Sequence, residues 1–77
     1  MKEYTIYGTQ QCSYCNDAKE LLDDKGLPYT YMDAPSSLFF QKEFIEKGVR
    51  KVPQIFVTEG ESERHIGGFQ ELAQELL

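Results

Sequence analysis

The sequence predicts an α/β fold: a four-stranded mixed sheet with three helices, in the order β-α-β-α-β-β-α. Three observations carry that expectation. Strand-like and helix-like runs alternate through the first half of the chain, as a βαβ unit requires. Glycine or proline punctuates nearly every junction. Ile55-Phe56-Val57 are consecutive apolar residues, the pattern of a strand covered on both faces.

Lys2 to Tyr7 is rich in β-branched and aromatic residues and stops at Gly8, which predicts the first strand. From Ser13 to Lys25 the apolar positions Cys15, Ala18, Leu21 and Leu22 recur at helical spacing, and Gly26 supplies the stop. Pro28 to Met32 reads as a short second strand, followed by a turn at Asp33-Ala34-Pro35-Ser36. A second helix is expected from Ser37 to Lys47, with Phe40, Phe44 and Ile45 on one side and Gly48 as its C-terminal signal. The Phe39, Phe40 and Phe44 cluster reads as core packing beneath it. Gln54 to Thr58 is the central strand, and Glu59-Gly60-Glu61 turns the chain back into a hairpin partner over Ser62 to Ile66. After Gly67-Gly68, the spacing of Phe69, Leu72, Ala73 and Leu76 predicts a closing helix. The first two strands should lie parallel through a right-handed crossover, with helices on both faces of the sheet.

Seventy-seven residues allow one domain, read here as 1–77. A hydrophobic share of 40% is enough for a folded core rather than a disordered segment. The net charge of −5 argues against nucleic acid, whose phosphates need a basic surface. No apolar run approaches the roughly 20 residues of a membrane span. Met1-Lys2-Glu3-Tyr4 lacks the uninterrupted apolar stretch of a secretion signal, so a reducing cytoplasm is the expected location.

Both cysteines lie in one four-residue run, Cys12-Ser13-Tyr14-Cys15, between the first strand and first helix. Two cysteines cannot form a disulfide framework, and in a cytoplasmic chain the pair points to redox or metal chemistry. Residues three apart share a helix face, and their Cα separation fits the roughly 4.4–6.8 Å that a disulfide needs. Cys12 at the N-cap would meet the unpaired amides and positive dipole end of the first turn, which favour thiolate over thiol. Cys15, one turn inside, is expected to be more buried and less ionised. Cys12 is therefore the nucleophile and Cys15 the resolving thiol. Zinc is the rival reading, but it needs three or four protein ligands and His65 is the only further good candidate, so no metal is expected. His65 lies outside the cysteine motif and is read as a structural or exposed histidine.

Three segments in order give the chain its resemblance to the glutaredoxins, small members of the thioredoxin superfamily. Tyr7-Gly8-x-x-x-Cys12-Ser13-Tyr14-Cys15 is similar to the family's Cys-Pro-Tyr-Cys after a strand. Lys51-Val52-Pro53-Gln54-Ile55-Phe56 is similar to its Thr-Val-Pro element, and His65-Ile66-Gly67-Gly68-Phe69 to its His-Ile-Gly-Gly-aromatic segment. The resemblance implies a thioredoxin-like fold, a cis Val52-Pro53 bond, and glutathione as reductant and cosubstrate. Val52 would pair with the tripeptide backbone, with Pro53 in contact beside it, while Gly68, Phe69, Gln70 and Glu71 would receive its γ-glutamyl end. Tyr14 would pack against it.

Departures from the family pattern bear on this. Ser13 replaces the usual proline, Lys51 the usual threonine, and Thr9-Gln10-Gln11 lacks the lysine often found before the first cysteine. The cation for the glycyl carboxylate must then come from elsewhere, with Arg50 and Lys51 as candidates. The activity implied is glutathione-dependent reduction of protein disulfides and glutathione mixed disulfides by a monomer, with ribonucleotide reductase among the implied substrates. Two rivals stand beside it: a redoxin recharged by thioredoxin reductase and dedicated to ribonucleotide reductase, and a dimer holding a [2Fe–2S] cluster through Cys12 and glutathione.

Overall fold

In the computed structural model, which describes residues 2–76, the sheet is built outward from β1 (Lys2–Gly8). β2 (Tyr29–Asp33) lies parallel to β1 on one side. β3 (Gln54–Glu59) runs antiparallel on the other, and β4 (Ser62–Gly67) pairs antiparallel at the outer edge of β3, giving the order β2-β1-β3-β4. With α1 (Ser13–Asp24), α2 (Leu38–Glu43) and α3 (Phe69–Leu76), the chain has the expected four-stranded mixed sheet and three helices. Among the described residues, no helix is long and apolar enough to cross a membrane.

Strand alternation splits the apolar residues between two layers. Tyr4, Ile6, Ile55 and Val57 face one side, where they bury Ala18 and Leu22 of α1 and Leu72 of α3. Tyr29, Tyr31 and Ile66 pack against the same cluster. Tyr7 and Phe56 face the other side and meet α2 and its continuation, with ring centroids 6.0 Å apart for Tyr7–Phe40 and 6.2 Å for Phe44–Phe56. Phe56 is thus enclosed from below by rings while its strand neighbours Ile55 and Val57 enter the opposite layer, as the uninterrupted apolar run requires. At the outer edge, Arg64 makes a two-pronged contact with Glu75 of α3, at 2.7 and 2.9 Å.

The helix ends follow from the sequence. Gly26 takes a left-handed φ of 69°, letting Gly26 N–H reach the Asp23 carbonyl and Leu27 N–H the Leu22 carbonyl. Those two bonds form a Schellman motif, which also turns Leu27 into the core. Ser37 caps α2 by accepting from Phe40 N–H at 3.2 Å.

The expected single helix from Ser37 to Lys47 is instead broken at Phe44 (φ −123°, ψ −57°), with Ile45–Lys47 forming one 3-10 turn. Phe44 sits among Phe40, Phe56 and His65, and its carbonyl accepts from both Lys47 and Val49. Packing across the sheet sets that residue's backbone, against the local helical pattern. The expected turn at 33–36 is likewise a short 3-10 helix over Ala34–Ser36.

Leu72 is fully buried and fastens α3 to the sheet. Leu72→Ala is expected to lower unfolding free energy by about 2–5 kcal/mol, measured by urea denaturation with an unchanged m-value.

Candidate active site

Where β1 ends, the chain makes a tight turn and enters α1 with Cys12 as its N-cap (φ −93°, ψ 112°). An extended N-cap points its side chain back over the first turn, and the Cys12 sulfur accepts from Cys15 N–H at 3.2 Å. The same sulfur lies 3.8 Å from the Val52 carbonyl, its second neighbour across the site. Cys12 is half-buried, so a reactant can reach it, whereas Cys15 has no exposed surface. Both are free thiols, so this is the dithiol form.

Burial, with the neighbouring Cys12 sulfur adding to it, pushes the Cys15 thiol up from an ordinary 9.0 to about 11. At neutral pH it is therefore a protonated thiol held in reserve. Room for it exists because β1 ends in Gly8. A Cβ there would come within 2.5 Å of Cys15 Sγ and 2.7 Å of the Tyr31 hydroxyl oxygen.

Facing Cys12, the Val52-Pro53 peptide bond is cis and Pro53 is buried. A cleft of about 450 Å³ opens beside it. Eight of the nine residues expected to contact glutathione line this cleft: Tyr14 from α1, Lys51, Val52 and Pro53 from the loop before β3, and Gly68, Phe69, Gln70 and Glu71 from the start of α3. Tyr14, 57% exposed, stacks on Phe69 with centroids 6.2 Å apart to make one wall. Glu71 accepts from Gly68 N–H at 2.7 Å, the backward-reaching half of a capping box at the helix start.

Arg50, the ninth, opens instead into a neighbouring cleft of about 330 Å³, with Thr9, Pro35, Phe40 and Ile45 on its walls. Val52 borders both spaces.

Gln54 is a site residue that sequence reading passed over. Only 8% exposed, it donates from Nε2 to the Lys51 carbonyl at 3.0 Å, and its Oε1 lies 2.8 Å from His65 Nε2. With the Gln54 amide in this orientation, His65 Nε2 is the donor. The His65 ring also stacks on Phe56, centroids 4.7 Å apart, so it is structural, as expected. A polar residue opening an otherwise apolar strand was the available signal for Gln54.

The glutaredoxin family pattern matches residues 4–62. Glutaredoxin 3 of Escherichia coli K12 is 34% identical over 73 residues, covering 94% of this chain and 83% of its own. Glutaredoxin 1 from Francisella tularensis, solved with cacodylate, superposes with a TM-score of 0.74 at 27% identity, covering 99% of this chain and 93% of that one. A buckwheat glutaredoxin–glutathione complex shares the fold, with a TM-score of 0.72 at 24% identity over 97% of this chain and 68% of that one.

Two outcomes are expected from the packing around Cys15. Gly8→Ala should displace Cys15 and Tyr31 and cost about 1–3 kcal/mol in chemical denaturation. Because the folded thiol is raised above its unfolded value, its contribution to stability is intact below about pH 9 and lost as pH rises toward about 11. Thermal melts of the reduced protein across that range should fall more steeply than those of Cys15→Ser.

Proposed function

The chain belongs to the glutaredoxin family, whose members are thiol oxidoreductases, and from that premise we propose that residues 1–77 act as one domain reducing disulfides with glutathione. The supporting observation is the position of Cys12 Sγ, 3.8 Å from the carbonyl of Val52, the residue that borders both clefts. A tripeptide laid across Val52 in extended form would place its central cysteine at that sulfur.

The two ends of glutathione find matching chemistry. The γ-glutamyl carboxylate meets the open first-turn amides of α3 at Phe69 and Gln70. The neighbouring ammonium meets Glu71, whose Oε1 already accepts from Gly68. The glycyl carboxylate reaches Arg50 on the far side of Val52, with Lys51 as the nearer alternative cation. Tyr14 and Phe69 cover the sulfur-bearing middle and exclude water from it.

In the reaction, Cys12 thiolate attacks the glutathione sulfur of a glutathionylated protein. The Cys12–glutathione bond forms, the old disulfide breaks, and the protein thiolate leaves and takes up a proton. A second glutathione then attacks the glutathione sulfur, releasing oxidised glutathione and restoring Cys12. With a protein disulfide, Cys12 forms a mixed disulfide to the substrate and Cys15 resolves it. Proposed partners are therefore glutathione and disulfide-bearing or glutathionylated proteins, the ribonucleotide reductase disulfide among them, met by a monomer in the cytoplasm.

A coupled assay with glutathione, glutathione reductase and a small mixed disulfide tests the assignment. Cys12→Ser should fall to background, while Cys15→Ser keeps mixed-disulfide activity and loses protein-disulfide reduction. Activity surviving in Cys12→Ser would overturn the reading. Arg50→Ala should raise KM for the glutathione adduct about three- to tenfold with little change in kcat; the same effect in Lys51→Ala alone would transfer the carboxylate contact to Lys51.

A further inference from the structure

Cys15 poses a chemical difficulty that the cysteine pair alone does not resolve. It must carry negative charge at two moments, when it attacks a mixed disulfide on Cys12 and when it is expelled from the Cys12–Cys15 disulfide. Yet it is fully buried, where an unpartnered thiolate is costly.

The structure places a hydroxyl beside it. Tyr31 stands on β2 opposite Ile6, directing its ring toward the layer between the sheet and α1. Cys15 Sγ and Tyr31 Oη both fall within 2.7 Å of one point, the site of a Cβ on Gly8. In the dithiol form, Tyr31 donates to the Thr9 carbonyl at 2.7 Å, in the turn leading to Cys12. Rotation about the single C–O bond of the phenol turns that proton away from the carbonyl and toward the sulfur.

We infer that the Tyr31 hydroxyl is the hydrogen-bond donor to the Cys15 thiolate, both as Cys15 attacks and as it leaves. The inference rests on the disulfide chemistry proposed above for Cys12 and Cys15.

Surrounding groups keep the phenol suited to this. Burial, and then the neighbouring Cys15, push the Tyr31 hydroxyl up to about 12, so it carries its proton wherever the protein works. The charged or titratable groups facing it are Cys12, Cys15 and Lys19 from α1 and Asp33 from its own strand. Lys19 Nζ lies 4.3 Å from the ring centroid, the one cation in that set. In the other direction, the Thr9 backbone and, to a smaller extent, the Tyr31 hydroxyl draw the Cys15 thiol downward against the larger effect of burial.

Closure starts from the Cys12–glutathione adduct. Cys15 releases its proton to solvent, its electron pair forms the Cys12–Cys15 bond, and the Cys12–glutathione bond breaks. Glutathione thiolate leaves and is protonated. Reduction by glutathione reverses these changes, with Cys15 as the leaving group.

Tyr31→Phe keeps the ring over Lys19 and removes only the hydroxyl. Reduced protein is mixed with glutathione disulfide, quenched in acid at set times and resolved by mass into Cys12 adduct and internal disulfide. In Tyr31→Phe the adduct should load at the parent rate but persist at least about tenfold longer, with the pH dependence of closure displaced upward. Closure at the parent rate, or equal slowing of loading and closure, would overturn the inference. If the parent protein forms neither adduct nor internal disulfide, this inference and the proposed function fall together; if the parent closes normally and only the Tyr31→Phe result is contrary, the proposed function stands.

Discussion

One short contact organises this molecule: the amide of residue 15 pointed at the sulfur of residue 12. It caps the helix and serves the proposed chemistry at once, because the N–H that finds a partner in the first turn also solvates the proposed nucleophile. The residue supplying that amide carries the second thiol. Helix geometry therefore fixes the spacing of the two sulfurs without further help, and the rest of the structure holds this helix end in place. Leu22 and Ala18 seat α1 on the sheet, and Gly8 lets its buried sulfur approach the strand.

Around that point the fold gathers three segments remote in sequence. The pairing of β1 with β3 brings the loop ending in Pro53 to the start of α1, and β4 delivers Gly67-Gly68 and the start of α3 to the same rim. The Gln54–His65 bond braces this assembly from below. It ties the edge strand to the Lys51 carbonyl, one residue before the cis peptide, and roots the loop in the aromatic layer under the sheet. The half of the molecule without cysteines thus governs the wall facing Cys12.

Much of this could be read from the chain because local chemistry and tertiary structure agree. Gly26 ends a helix where a left-handed residue was needed, and Ile55-Phe56-Val57 is enclosed on both faces. The three motifs that suggested the family converge on one cleft, which Tyr14, Lys51, Val52, Pro53, Gly68 and Phe69 all line. What escaped was set by contacts between distant residues. Phe44 breaks its helix for rings on β3 and β4 that no local window contains. Arg50 and Lys51 are adjacent, yet they open into different clefts on either side of Val52, a division set by the loop's path. Tyr31 looks like any tyrosine in a strand until the register with β1 brings it beside Gly8.

The complete enclosure of Cys15 bears on how the molecule meets its surroundings. Of the two thiols, a soluble electrophile or peroxide reaches only that of Cys12 in the folded protein. An oxygen atom added there would sit one helical turn from a thiol able to displace it as water, closing a disulfide. By formula the chain has two cysteines; to its environment it presents a single addressable one, with the repair group sealed behind it.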